Sequence, residues 1–79
     1  MGKELLKIGQ LAKLTGVLPS TIHYYTSEGL LSAAEHSQGG YRLYAPSAVQ
    51  RVRTIQRLQE VRRLTISEIR QQLRGKAAA

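Results

Sequence analysis

The chain has 79 residues, with 12 Lys or Arg against five acidic residues and a formal net charge of +7 at pH 7. A single domain of this length buries only about 60% of its unfolded surface, and its positive charge favours a polyanionic partner, either nucleic acid or an anionic membrane surface. It has no cysteine, which excludes disulfides, thiolate metal sites and cysteine nucleophiles. It also has no aspartate, so few side chains suited to catalysis remain, and we expect no enzymatic activity and no cofactor.

Membrane segments and metal sites are not indicated by the sequence. No apolar run approaches the roughly 20 residues needed to cross a bilayer. Only two leucines separate Glu4 from Lys7, so we expect no signal peptide and a location in the cytoplasm. The two histidines, His23 and His36, lack the spacing or the acidic neighbours of a metal site, so no bound metal is expected.

The first predicted helix spans residues 8–15. Ile8, Leu11 and Ala12 have helical spacing, and Gly16 stands where a glycine commonly ends a helix.

The second predicted helix begins at Pro19, because proline is favoured at the first helical position. The side chain of Leu18 before it cannot accept a hydrogen bond from a backbone N–H, so the cap is weak. Ile22 and Tyr25 fall on one face of this helix, and the side chains that point elsewhere are Ser20, His23, Tyr24 and Ser27. Only residues 16–18 separate the two helices, which is typical of a helix-turn-helix.

A β-hairpin is predicted after the second helix. Leu30-Leu31 and Tyr41–Tyr44 are β-prone runs, and the polar stretch between them ends in Gly39-Gly40, which indicates a mobile tip. Because a two-stranded hairpin is marginally stable alone, it is expected to pack on the helices through residues such as Leu31 and Leu43.

Two further helices complete the predicted order. The third is expected from Pro46 to about Arg62, with the inward residues Val49, Val52, Ile55, Leu58 and Val61. The fourth begins at the capping box Thr65-Ile66-Ser67-Glu68 and is expected to end at Gly75. Its predicted buried stripe is Ile66, Ile69 and Leu73. The order predicts a mainly α fold of the winged helix-turn-helix type over residues 1–75, followed by a flexible tail at 76–79.

Six short motifs then stand in a recognisable order: Ile8-Gly9-Gln10-Leu11-Ala12, Thr15-Gly16-Val17, Thr21-Ile22-His23-Tyr24-Tyr25, Glu28-Gly29-Leu30-Leu31, Gly39-Gly40-Tyr41-Arg42-Leu43-Tyr44 and Ile66-Ser67-Glu68-Ile69. With these motifs the chain resembles the N-terminal DNA-binding domain of the MerR family of transcription regulators over residues 8–73, more than four fifths of its length.

The resemblance implies sequence-specific binding of double-stranded, palindromic promoter DNA, with the second helix in the major groove and the wing hairpin on the flanking backbone. It also implies RNA polymerase as an indirect partner and a homodimer for the full-length regulator, formed by a long C-terminal helix. Since that helix is not in this sequence, we expect the chain alone to be a monomer with weak affinity for DNA.

Eight residues are candidate DNA contacts under this resemblance. Four polar side chains of the second helix are candidates for base edges or phosphates, namely Ser20, Thr21, His23 and Tyr24. Four more are candidate phosphate contacts, namely Tyr41 and Arg42 on the wing and Arg51 and Arg53 in the third helix. The alternatives are that His23 merely faces solvent and that Tyr24 joins Tyr25 in the core.

Other polar residues are assigned structural or solvent-facing roles. The arginines at 57, 62 and 63 are expected to be solvated, His36 to have no role, and Gln10, Gly16 and Gly29 to be structural.

The chain departs from the family pattern at four places. The family usually has Arg at position 23 and an acid at position 26, where this chain has His23 and Thr26. The wing tip at residues 33–38 is less basic than usual. Arg63 replaces a common helix-ending glycine, which predicts modest strain if the backbone there is left-handed.

Two other functions are compatible with the sequence. Excisionase-like and phage architectural proteins share this fold at this size and bend DNA for recombination. A basic module that binds a protein or an anionic membrane predicts a broad exposed apolar face, whereas the apolar stripes here are used to close a thin core. The full run of motifs favours the regulator.

Overall fold

The fold combines four helices with a small antiparallel sheet, in a computed structural model that describes residues 4–78 and the side chains of residues 4–74. The elements in chain order are β1 (Leu6–Lys7), α1 (Ile8–Thr15), α2 (Pro19–Ser27), β2 (Glu35–His36), β3 (Arg42–Tyr44), α3 (Ala48–Glu60) and α4 (Ile66–Ala78). The strand order in the sheet is β1-β3-β2, and both pairings are antiparallel. The predicted winged helix-turn-helix is confirmed. None of the described helices has the length and apolarity needed to cross a membrane.

The helix-turn-helix forms as its turn residues predict. Gly16 ends α1 with a φ of 77°, and its N–H donates to the carbonyl of Ala12. Gln10 has the structural role expected of it, because its Oε1 accepts from the backbone N–H of Lys7 at 2.9 Å and caps the start of α1. Helix α2 begins at Pro19 without a side-chain cap.

The prediction that Leu30 and Leu31 form the first strand of the hairpin is wrong. Leu30 and Leu31 are buried but not extended, because both of their N–H groups donate to the carbonyl of Tyr25 and close the end of α2. The wing is instead built from β2 and β3, with Glu35 opposite Leu43. Strand β1, which was not predicted, adds a third strand by pairing Leu6 with Tyr44.

Helix α3 is shorter than predicted. It begins at Ala48, because Pro46 and the residue after it form a turn in which Ala48 N–H donates to the carbonyl of Ala45. The prediction that Val61 points inward is wrong, since its side chain is 74% exposed. Val61 follows the last residue of α3, where the chain turns back and Leu64 N–H donates to the carbonyl of Leu58.

Helix α4 begins at the predicted capping box. Glu68 N–H donates to Thr65 Oγ1 at 3.1 Å, and Thr65 N–H donates to Glu68 Oε1 at 2.8 Å. The prediction that Gly75 ends the helix is wrong, because α4 continues to Ala78. A glycine inside a helix costs only about 1 kcal/mol, and good helix formers follow it here. The flexible tail stays a prediction, and Ala79 lies outside the described residues.

The core lies between the helices and the sheet. Its largest fully buried side chains include Tyr44, Leu11, Ile22, Leu30 and Ile55. Tyr44 lies at the centre, where its hydroxyl is 2.8 Å from Thr26 Oγ1 and links the wing to α2.

Two polar contacts hold α3 and α4 against α2, the second helix of the helix-turn-helix, which in this motif is called the recognition helix. Tyr25 donates its hydroxyl to Gln59 Oε1 at 2.9 Å, and burial, together with the charge of Glu60 and a contribution from Tyr24, raises the pKa of the Tyr25 phenol. Arg70 binds Glu28 twice, donating to its backbone carbonyl at 2.7 Å and to its carboxylate at 2.8 Å. The end of α2 is therefore fixed to both C-terminal helices.

Arg63 is strained, as its place in the sequence predicted. It is the one non-glycine residue with positive φ in the described range, at 55°. A left-handed backbone costs an L-residue about 1–2 kcal/mol, part of which glycine gives back through its greater freedom in the unfolded chain. We expect Arg63→Gly to raise the free energy of unfolding by about 0.5–1 kcal/mol, and the Tm by about 2–8 °C, in circular-dichroism melts.

The matched control for this prediction is Arg62→Gly. It removes the same charge at a neighbouring exposed position whose φ is not positive, so it is expected to lower stability slightly. Equal Tm values for the two glycine variants would show that the backbone at Arg63 is not strained.

Candidate nucleic-acid interface

An open groove lies between helix α1 and the wing, with a volume of about 1070 Å³. The polar residues that line it include Lys7, Gln10 and Lys13 from the N-terminal segment, His23 from α2, and His36 and Arg42 from the wing. None of the described residues that line the groove is acidic. Both walls are therefore basic or neutral, which makes the groove suited to a polyanion.

The start of α1 adds to the positive potential of this groove. The first three residues of the helix, Ile8, Gly9 and Gln10, all line it, and the first turn contains no acidic residue. Backbone N–H groups at a helix N-terminus lack intrahelical acceptors, and the helix dipole there favours an anion. A phosphate in the groove would meet these N–H groups and the side chains of Lys7 and Lys13.

One side chain of the recognition helix is tied to the wing inside the groove. Arg42 Nη1 lies 3.0 Å from His23 Nδ1, so the contact joins β3 to α2 across 19 residues of sequence. Arg42 is half-buried and His23 is exposed. These two predicted contact residues and Tyr41, which is 75% exposed, are brought together by the fold.

The rest of the recognition helix has one exposed and one buried face. Tyr24 is 47% exposed whereas Tyr25 is 3% exposed, so Tyr25 is the core tyrosine and Tyr24 faces outward, as predicted. Ser20 is also exposed, and Thr21 is half-buried. These predicted contacts on α2 lie outside the groove lining and stay candidates for base edges.

The two predicted contacts on α3 are not brought to this groove. Arg51 donates its Nε–H to the carbonyl of Leu30 at 2.9 Å and so holds the end of the helix-turn-helix. Arg53 is exposed on α3 and does not line the groove. Arg51 thus has a structural partner that the sequence did not reveal, and a DNA contact by Arg51 or Arg53 stays a prediction.

Sequence reasoning missed three basic residues of the groove. Lys7 directly precedes α1, Lys13 lies in its last turn, and His36, which was assigned no role, lies on the opposite wall. The available signal was the pair of lysines on either side of the first motif, but charge alone does not say which face a helix presents. For metals, the described residues contain no group of three or more His, Asp or Glu side chains placed to hold an ion.

Comparison with known proteins gives a consistent result. Residues 6–76 match the family described as MerR HTH family regulatory protein. The chain is 44% identical over 69 residues to nodulation protein NolA of Bradyrhizobium elkanii, covering 87% of this chain and 31% of the relative. It is 41% identical over 63 residues to the mercuric resistance operon regulatory protein of Bacillus cereus, covering 80% of this chain and 47% of the relative.

A solved structure shows the same fold. The crystal structure of the transcription regulator PbrR691 from Ralstonia metallidurans CH34 in complex with lead(II) superposes with a TM-score of 0.82 at 37% identity. The match covers 92% of this chain and 56% of that one. The chain therefore spans between about a third and somewhat over half of the length of these relatives.

Proposed function

The chain belongs to the MerR family of helix-turn-helix regulatory proteins, and on that premise we propose that it is the sequence-specific, double-stranded DNA-reading domain of a transcription regulator. The observation that carries this proposal is the basic groove, which has no acidic residue among its described lining and lies beside the exposed face of the recognition helix. In this proposal, α2 enters the major groove and the wing grips the flanking phosphates.

The roles of the side chains follow from their positions. Tyr24 and Ser20 are exposed on α2 and reach base edges or phosphates, whereas Lys7, Lys13 and Arg42 neutralise phosphates along the groove. The N-terminus of α1 supplies backbone N–H donors to the same DNA phosphates, and these donors are fixed by the helix and are not carried on a mobile side chain.

The wider setting is also part of the proposal. The operator is a palindrome in promoter DNA, read by a homodimer of the full-length regulator at the nucleoid, with RNA polymerase affected indirectly. A single copy of this chain reads one half-site and binds weakly, because it lacks the gain in effective concentration that a second linked copy brings. The relatives' names support regulation rather than recombination, so an excisionase-like role is not favoured.

The test is fluorescence anisotropy with a labelled promoter-like duplex across a salt series. We expect log affinity to fall linearly with log salt concentration, because phosphate contacts release counterions. Arg42→Ala is expected to reduce the slope by about one, and Tyr24→Ala to lower affinity mainly for the preferred sequence.

Single-stranded DNA and anionic vesicles provide the controls for this test. Binding to vesicles but not to duplex would contradict the proposal and favour the membrane alternative. Equal binding of wild type, Arg42→Ala and Tyr24→Ala to every duplex would show that the basic residues attract DNA without sequence specificity and that neither side chain has its proposed role.

A further inference from the structure

The contact between His23 and Arg42 determines where the imidazole carries its proton. Arg42 Nη1 lies 3.0 Å from His23 Nδ1. A guanidinium has only N–H donors, so Nδ1 of His23 must be the acceptor. A neutral imidazole whose Nδ1 accepts carries its proton on Nε2. The recognition helix therefore presents an N–H donor, and not an acceptor, at position 23.

We propose that His23 is a specificity-determining residue that donates its Nε2–H to an acceptor on a base edge in the major groove, and that Arg42 is its positioning residue. This inference rests on the proposed DNA-reading function. Guanine, adenine and thymine all present acceptors in the major groove, whereas cytosine presents only its amino donor. The domain is therefore expected to disfavour cytosine at one position of the contacted strand.

The surroundings of His23 leave its donor available to DNA. The charged and titratable groups that line the same groove are Lys7 and Lys13 of the N-terminal segment and His36, Tyr41 and Arg42 of the wing. No carboxylate is among them, and the Gln10 oxygen already accepts from the backbone of Lys7.

The wing is held so that it can position this side chain. Arg42 is the first residue of β3, and the last residue of the same strand, Tyr44, is fully buried with its hydroxyl 2.8 Å from Thr26 Oγ1 of α2. The strand that carries Arg42 is thus tied to the same helix that carries His23. Because Arg42 is half-buried and uses one of its five N–H donors on His23, the others remain for a phosphate.

The first test measures the tautomer in the protein without DNA. Long-range nitrogen–proton NMR, at a pH where histidine is neutral, is expected to show Nδ1 of His23 unprotonated and hydrogen-bonded. Arg42→Met is expected to shift the Nδ1 resonance towards that of unbonded histidine, and Arg42→Lys to restore it in part. Arg57→Met removes a guanidinium from an exposed site outside the groove and serves as the control. A proton on Nδ1 in the wild type would overturn the proposal.

The second test measures base discrimination. Duplexes are selected from a random library with the wild type, and each base pair of the preferred site is then varied. We expect one position where cytosine weakens binding by about 3- to 10-fold, the effect of one hydrogen bond. His23→Phe keeps a planar ring without nitrogens and is expected to lose discrimination at that position alone. His23→Gln keeps a donor near the place of Nε2 and is expected to retain part of it.

The positioning role of Arg42 has its own readout. Arg42→Met is expected to reduce discrimination at the same position as His23→Phe, and the double variant to lose no more than His23→Phe alone. Additive losses, or an unchanged base profile in His23→Phe, would overturn this inference while leaving DNA binding intact. If neutral methylphosphonate linkages abolish the effect of His23→Phe, then His23 binds a phosphate and base reading is overturned. Absence of any duplex binding by the wild type would instead overturn the proposed function, whatever the tautomer.

Discussion

Tyr44→Ala is expected to unfold most of the protein at 25 °C. Tyr44 is fully buried, lies in the central strand of the sheet and is among the largest enclosed side chains of the core. Truncating a buried aromatic side chain to alanine costs about 3–5 kcal/mol. A domain of this size has a total stability of only about 4–12 kcal/mol, and its thin core favours the lower part of that range. Circular dichroism is expected to show loss of most helical signal or of a cooperative melt.

Tyr44→Phe separates the packing of the ring from the hydrogen bond of its hydroxyl. Phe keeps the ring and removes only the contact with Thr26 Oγ1, so we expect a loss of about 0.5–1.5 kcal/mol in urea unfolding. Thr26→Val removes the other partner, and the double variant is expected to be less destabilised than the sum of the two single changes. Tyr41→Ala is the control, because it is the same tyrosine-to-alanine change at a position that is 75% exposed. It is expected to leave Tm nearly unchanged. A cooperative melt of Tyr44→Ala near the wild-type Tm would contradict the central role of this ring.

The helices of this fold could be predicted from the sequence because their signals are local. Gly16 and Pro19 bracket a turn, and the residues of the capping box at 65–68 lie within three positions of each other. Burial of Ile22 and Tyr25 followed from spacing alone. Each of these signals acts over less than two helical turns, so no knowledge of the tertiary fold was needed.

The sheet could not be predicted in the same way. Strands β1 and β2 contain two residues each, which is too short for an alternating pattern to appear. Strand β1 exists because Leu6 meets Tyr44, a pairing between residues far apart in the chain. Leu30 and Leu31 form a short apolar run of the kind found in strands, yet their backbone N–H groups donate to the Tyr25 carbonyl and place them in the turn that closes α2. Long-range contacts decided each of these cases.

The candidate site was predicted in its central residues but not in its extent. His23 and Arg42 were both identified, but their contact joins two elements that no local pattern connects. Lys7 and Lys13 were overlooked because their surface role depends on where the wing folds. Arg51 was predicted to contact phosphate from its charge and its place early in the third helix, and the fold adds a contact that neither revealed, from its Nε–H to the carbonyl of Leu30. The partner of a basic side chain can be identified only when the positions of the surrounding backbone groups are known.

Removing the positive charges of the groove is expected to weaken duplex binding by roughly 100-fold near 100 mM salt, and to reduce the salt slope by about 2.7. The variant is Lys7→Gln/Lys13→Gln/Arg42→Gln, whose three side chains line the groove. Each phosphate contact contributes about 0.9 to the slope through counterion release, so three lost contacts give this change. The first two lysines are exposed, so the fold is expected to survive, and a melt checks this.

The matched control is Arg57→Gln/Arg62→Gln/Arg74→Gln, which removes three exposed arginines outside the groove. Both triple variants lower the formal net charge from +7 by three, to +4. They differ only in where the charge is lost, so the control is expected to weaken binding less than about threefold, because separated exposed charges are largely screened beyond about 10 Å at 0.1 M salt. If the two triple variants bind duplex equally weakly, the net charge of the chain carries the affinity and the groove is not the DNA interface. If only the groove variant is weakened, the side chains that sequence reasoning overlooked, Lys7 and Lys13, act with Arg42 to hold the DNA backbone against the recognition helix.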